Sequence, residues 1–179
     1  MRALLPLVLL ATLAACQKDR IEVREEPKEE APAAMLAPAS RPRGVAWSAP
    51  AGWKEAAGNG MRIATLTPPP AAGKAEVTVV ALPGDVGGEL ANVNRWRGQL
   101  ALPPVGEADL PAARAEVRSK LGALNLYDFT GTGANKTRLV AGMISVSGTT
   151  WFFKLMGDEK AVAAARPAFL KLLEGLHAS

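Results

Sequence analysis

The chain has 179 residues, 49% hydrophobic and 21% charged, which is apolar mass for one folded domain and too little outside residues 45–179 for a second. Its formal charge of +4 falls to 14 Lys and Arg against 11 Asp and Glu over residues 45–179, and no basic run is interleaved with aromatics, so nucleic acid is not an expected partner. One cysteine, Cys16, and one histidine, His177, stand near opposite ends, which excludes an internal disulfide, a His/Cys zinc or copper site, and Ser-His-Asp or Cys-His catalysis.

An enzyme built on this chain would be left with carboxylate, Lys, Tyr or Arg chemistry, and no cofactor is expected. His177, third from the end, is expected to fray with the terminus.

Met1 and Arg2 form a short positive region, and residues 3–11 are an apolar run carrying Leu4, Leu5, Leu7, Val8, Leu9 and Leu10. Even counted through Ala15, the run falls short of the roughly 20 residues a helix needs to cross a hydrocarbon core. It therefore reads as a cleavable signal. Leu13-Ala14-Ala15-Cys16 resembles the lipobox of bacterial lipoproteins, and the resemblance implies a diacylglycerol on the Cys16 thiol, cleavage before it and acylation of the new amine. Several acyl chains, at about 0.8 kcal/mol per buried methylene, anchor stably where one would not. The alternative is an ordinary secretory signal in which Cys16 is a bystander. Gln17, where the enterobacterial inner-membrane pattern has Asp, favours the outer membrane.

Residues 17–44 carry six acidic and six basic residues with few large apolar ones, a composition that does not fold alone. As a flexible tether they span about 30 Å. The Ile21-Glu22-Val23 alternation reads either as a strand on the domain's edge or as solvated linker. The organisation is thus a signal over 1–15, a lipidated cysteine and tether over 16–44, and one domain over 45–179.

The domain opens with Trp47 and the Pro50-Ala51-Gly52-Trp53 turn, two tryptophans that suggest an anchored edge. Strands are expected at 61–66 and 76–82, a hairpin with a long connection through Pro68-Pro69-Pro70 and Gly73. After Pro83-Gly84-Asp85-Val86-Gly87-Gly88, Leu90, Val93, Trp96, Arg97 and Leu100 fall at helical spacing over 89–100, which Pro103-Pro104 ends. A mobile stretch is expected through Ala115, then strands at 116–120 and 124–130. The pair 138–146 and 151–156 turns at Ser147-Gly148, with Trp151, Phe153 and Leu155 on one face and Phe152, Lys154 and Met156 on the other. A final helix is opened by Asp158, whose carboxylate suits the N-cap. Its apolar stripe is Val162, Ala165, Phe169, Leu172, Leu173 and Leu176, and Pro167 should kink it or start its second half.

These elements predict an α+β fold, an α/β sandwich over a central antiparallel sheet with one helix after the first hairpin and a long C-terminal helix. Trp151-Phe152-Phe153-Lys154-Leu155-Met156-Gly157 followed by Ala168-Phe169-Leu170-Lys171-Leu172-Leu173 resembles the closing strand and helix of PsbP-like domains, and Pro50-Ala51-Gly52-Trp53 their opening turn. That resemblance implies a binding or assembly role rather than catalysis. The stretch 84–100 is similar to a segment of uncharacterised bacterial lipoproteins, a likeness that implies no activity.

The one concentration of unusual chemistry lies at 84–97. Asp85, Gly87, Gly88, Asn92, Asn94, Arg95, Trp96 and Arg97 are the candidate ligand or partner site, since a glycine-rich turn feeding a helix start can hold an anion on its backbone donors. The competing reading is a tight turn before an amphipathic helix with Trp96 in the core. Asp85 and Glu89 could form a carboxylate pair or serve the helix dipole. The expected function is a membrane-anchored envelope lipoprotein, on the periplasmic or outer-membrane side, whose domain binds a protein or envelope component without catalysis. The alternatives are an enzyme on an anionic envelope substrate and a carrier of an apolar ligand.

Overall fold

The computed structural model describes residues 44–70, 73–133 and 136–179. The expected signal, Cys16, the tether and the Ile21-Glu22-Val23 alternation lie outside the described residues.

Seven strands, β1 (Lys54–Ala57), β2 (Arg62–Thr67), β3 (Ala75–Pro83), β4 (Ala115–Ser119), β5 (Gly122–Thr130), β6 (Thr137–Val146) and β7 (Thr149–Asp158), form one antiparallel sheet in the order β1-β2-β3-β7-β6-β5-β4. Three helices accompany them: α1 (Gly88–Gln99), α2 (Leu110–Ala113) and α3 (Glu159–Glu174). The fold is the expected α+β class, with β7 at the centre of the sheet.

Alternation along β7 explains why both faces of the sheet are covered. Trp151, Phe153 and Leu155 meet the α3 stripe of Val162, Ala165, Phe169, Leu172 and Leu173, with Leu176 just beyond the helix, together with Val77, Val79, Leu124 and Val140 of the other strands. Phe152, on the opposite face, joins Tyr127, Phe129, Leu139 and Ala141 under Val93 and Trp96 of α1 and Leu100 at its C-cap. Trp96 stands edge-on to Phe152 at 6.2 Å and tilted against Tyr127 at 5.9 Å between ring centroids, arrangements that aromatic quadrupoles favour. Gly142 lets α3 close on the sheet, because a Cβ there would stand 3.0 Å from Leu173 Cδ1.

Several local expectations are corrected. His177 does not fray: its backbone pairs with Ala46 in both directions, N–H to O at 2.8 and 3.1 Å, and the strap continues into Trp47, which packs edge-on against Trp151 and Phe153. Asp158 occupies the N-cap of α3 without capping it, since its Oδ2 accepts the Lys74 amide at 2.8 Å instead. α3 runs continuously through Pro167, with no second start. The stretch expected to be mobile holds a 3-10 turn at Glu107–Asp109 and α2. β1 was not anticipated; all four of its residues are exposed, so it carries no buried period and exists through its pairing with β2. No helix among the described residues is long and apolar enough to cross a membrane.

Candidate functional site

The 84–97 segment is built on backbone that sits where side chains rarely go. Gly84, Val86, Gly87 and Gly88 have φ of 76, 51, 81 and 79°, and for a β-branched Val86 the left-handed region costs about 1–2 kcal/mol. Two ties hold the turn. Gly84 donates to Gly148 O at 2.8 Å and accepts from Thr150 Oγ1 at 2.6 Å. Buried Asn92 donates from one amide nitrogen to Gly88 O at 2.7 Å and Val86 O at 3.1 Å, while its Oδ1 accepts from Arg95 at 3.1 Å. The structure thus brings Gly87, Gly88, Asn92 and Arg95 together around one turn, with the Asp85 carbonyl accepting the Gly88 amide at 3.1 Å.

The other candidates point elsewhere. Asn94 clamps Val105 through both its amide groups, at 2.8 and 3.0 Å, and Arg97 Nε donates to Pro103 O at 2.7 Å with its guanidinium over the Phe129 ring. Those bonds fix the returning chain and explain why 102–113 is ordered. Trp96 lies in the core.

Glu89 does not pair with Asp85. From the first turn of α1 it accepts the Tyr127 hydroxyl, Asn125 Nδ2 at 2.7 Å and Arg114 at 3.2 Å. Burial first, then the bond to Glu89 and its charge, pushes the Tyr127 phenol well above its ordinary value. Both Glu89 oxygens accept bonds, and its carboxylate sits at the positive end of α1, where it is paired with Arg114. Sequence reasoning missed Arg114, Asn125 and Tyr127, which lie 25 to 38 residues from Glu89.

On the opposite face, Asp128 of β5 accepts a two-pronged bond from Arg138, at 2.7 and 2.8 Å, and a third from Arg166 of α3 at 2.9 Å. Burial works to raise the Asp128 carboxyl, but the Arg138 bond and charge, followed by those of Arg166, outweigh it and hold it below the usual value. This triad ties α3 to the sheet.

A different kind of site runs beside α3. The β2–β3 connection places Pro68, Pro69 and Pro70 opposite Ala161, Ala164, Ala165 and Ala168, with Trp53 and Met156 completing a groove of about 730 Å³. Thr67, Lys74 and Glu76 are the polar residues of its lining. A second hollow of about 390 Å³, lined by Ser48, Pro50, Ala51, Lys171, Leu172 and Gly175, shares Ala168 with the first. The alanines recur at positions i, i+3, i+4 and i+7, one side of a helix, and that spacing beside a proline run was the available signal. The apolar stripe of the sequence reading includes Ala165 but not Ala161, Ala164 or Ala168, so the alanine row escaped it.

No protein-family model matches the chain, and no curated protein matches it in sequence. Its fold is similar to a crystal structure from Bacteroides thetaiotaomicron VPI-5482, at 11% identity over 75% of this chain and 45% of that one, with a TM-score of 0.48. The chain thus spans less than half of the Bacteroides protein. It is similar to LpqN of Mycobacterium tuberculosis, described as involved in cell envelope biogenesis, at 12% identity over 74% of this chain and 81% of that one, TM-score 0.47. The solution structure of cyanobacterial PsbP (CyanoP) from Synechocystis sp. PCC 6803 is similar at 12% identity over 76% and 94%, TM-score 0.47.

Proposed function

We propose that the protein is a lipoprotein of the bacterial cell envelope, attached through acylated Cys16, whose folded domain binds a protein or envelope component in an accessory role and performs no catalysis. The observation that carries the binding reading is the groove along α3. Its volume lies within the roughly 300–1,000 Å³ of ligand pockets, and like them it is apolar with a few polar groups at its margin. Leu13-Ala14-Ala15-Cys16 supports the anchor.

The enzyme alternative finds less support. Glu89 and Asp128, the carboxylates most engaged by other side chains, have both oxygens accepting bonds from neighbours that hold helices to the sheet. Such groups are structural ties first.

Two measurements test the proposal. The mature protein should begin at Cys16, carry the mass of acyl groups and sediment with membranes; a soluble mature chain without lipid would overturn the anchor. Affinity purification from solubilised membranes should recover a component that the groove-filling variant Ala164→Trp loses. Identical recovery by that variant would overturn the groove as the binding site.

A further inference from the structure

The two edges of the sheet differ in what they can meet. Just beyond β5, the Gly131 amide donates to Thr137 O at 2.8 Å, which makes that pair a hydrogen-bonded one. Antiparallel ladders alternate, so Asn125, Tyr127 and Phe129 of β5 bond to β6, while Gly122, Leu124 and Leu126 bond to Ser119, Val117 and Ala115 of β4. The N–H and C=O groups of Glu116 and Arg118 therefore point out of the sheet. β4 is its last strand, and among the described residues no strand pairs with that side.

The side chains sort in the same way. Val117 packs into the core under α3, so Glu116 and Arg118 share the other face, where both are exposed and Arg118 Nε lies 3.0 Å from Glu116 Oε1. Charged side chains on an edge deter pairing with most strands. A second copy of β4 is the exception, because it carries the complement. Laid antiparallel, it can meet the outward groups in three registers within the strand. One sets Glu116 opposite Glu116, one sets Arg118 opposite Arg118, and the third, centred on Val117, sets Glu116 opposite Arg118 twice. Only the third opposes unlike charges, which stabilise a cross-strand pair where like charges destabilise it. Beyond the strand that register brings Arg114 towards Lys120, but Arg114 is already held by Glu89 at 3.2 Å and Lys120 lies in the turn.

The far edge has no such register. The Gly58 amide donates to Ile63 O at 2.9 Å, so the same alternation turns Glu55 and Ala57 of β1 outward. Within that strand, self-pairing opposes Glu55 only to itself or to Ala57.

We infer that the protein forms a two-fold dimer through β4, paired antiparallel about Val117 with Glu116 of each copy opposite Arg118 of the other. Each of these pairs exchanges both its N–H···O bonds, and the two-fold closes the assembly at two copies. The inference goes beyond the proposed binding role and does not rest on it.

The test uses the full chain with Cys16→Ala in sedimentation equilibrium, with circular dichroism confirming that each variant is folded. The parent should show a concentration-dependent equilibrium between monomer and dimer. Glu116→Arg, which opposes Arg to Arg118, should raise the dissociation constant at least about tenfold. Adding Arg118→Glu to it restores unlike pairs and should restore the dimer. Val117→Cys, then the only cysteine in the chain, lies on the two-fold in a pair whose Cα atoms stand about 4.5 Å apart, within disulfide reach. Mild oxidation should link it as a dimer far faster than Ala56→Cys in β1.

A parent that stays monomeric at its highest attainable concentration, or a dimer indifferent to Glu116→Arg, would overturn the inference. So would a folded double variant that remains monomeric, or equal cross-linking at positions 56 and 117. The anchor and the groove stand or fall separately, on the mature N-terminus and the membrane-recovered component.

Discussion

Tyr127 is the only tyrosine in the chain, so its ionisation can be followed by phenolate absorbance without ambiguity. Its native value lies above the ordinary 10.0, so its contribution to stability is present below pH 10 and is lost as pH climbs towards the native value. The folded protein should show no phenolate at the ordinary pH of tyrosine ionisation. Glu89→Gln should lower the transition, yet leave it above the ordinary value, because burial is the larger cause. A phenolate appearing at the ordinary pH in the folded wild type would contradict both the burial of Tyr127 and its bond to Glu89. Asp128 behaves in the opposite sense. Its native value lies below 3.8, so the triad stabilises fully above the unfolded value and the contribution is lost as pH falls through the native one. Asp128→Asn should cost about 1–3 kcal/mol at neutral pH and flatten acid unfolding below pH 4; a variant that unfolds along the wild-type acid curve would contradict the triad's role. Neither cluster was legible in sequence, because the partners are distant along the chain and a lone Tyr or Asp in a strand carries no pattern.

At the scale of elements, β7 and α3 were legible because their periods are strong: alternation puts Trp151, Phe153 and Leu155 on one face, and the 3.6 period gathers Val162, Phe169 and Leu173 on another. What the periods could not give is close approach. A Cβ on Gly157 would come within 2.6 Å of Ala75 Cα, where β7 passes β3. Gly157→Ala should therefore force the strands apart and destabilise by about 1–3 kcal/mol, and an unchanged urea midpoint would show that the pairing there is looser. The α1 helix was legible, but the use of its polar residues was not. Asn92 and Asn94 read equally well as ligand contacts and as ties, and the bonds to Val86, Gly88 and Val105 place them as ties in this fold. Asn94→Ala should accordingly raise hydrogen exchange in the segment 102–113 more than elsewhere. Uniform exchange across the variant would contradict the clamp.

For the whole molecule, the proposed function makes the N-terminal segment an address and the folded residues a binding domain. The single cysteine lies outside the described fold, so Cys16→Ala should leave the unfolding midpoint of the domain unchanged while moving the protein out of the membrane fraction. The binding side of that division was the least legible part of the sequence, since prolines in a connection and alanines on a helix carry weak individual signals and meet only once the β2–β3 hairpin folds beside α3. Both sides meet in one measurement: the yield of adduct from a photo-reactive residue placed at Ala164 in intact cells, compared with one at the exposed Asn59 in the β1–β2 turn. A tethered domain that binds through the groove should give a defined adduct at Ala164, none at Asn59, and a strongly reduced yield when Cys16→Ala is added. Equal adducts at the two positions, or an Ala164 adduct indifferent to Cys16, would contradict it.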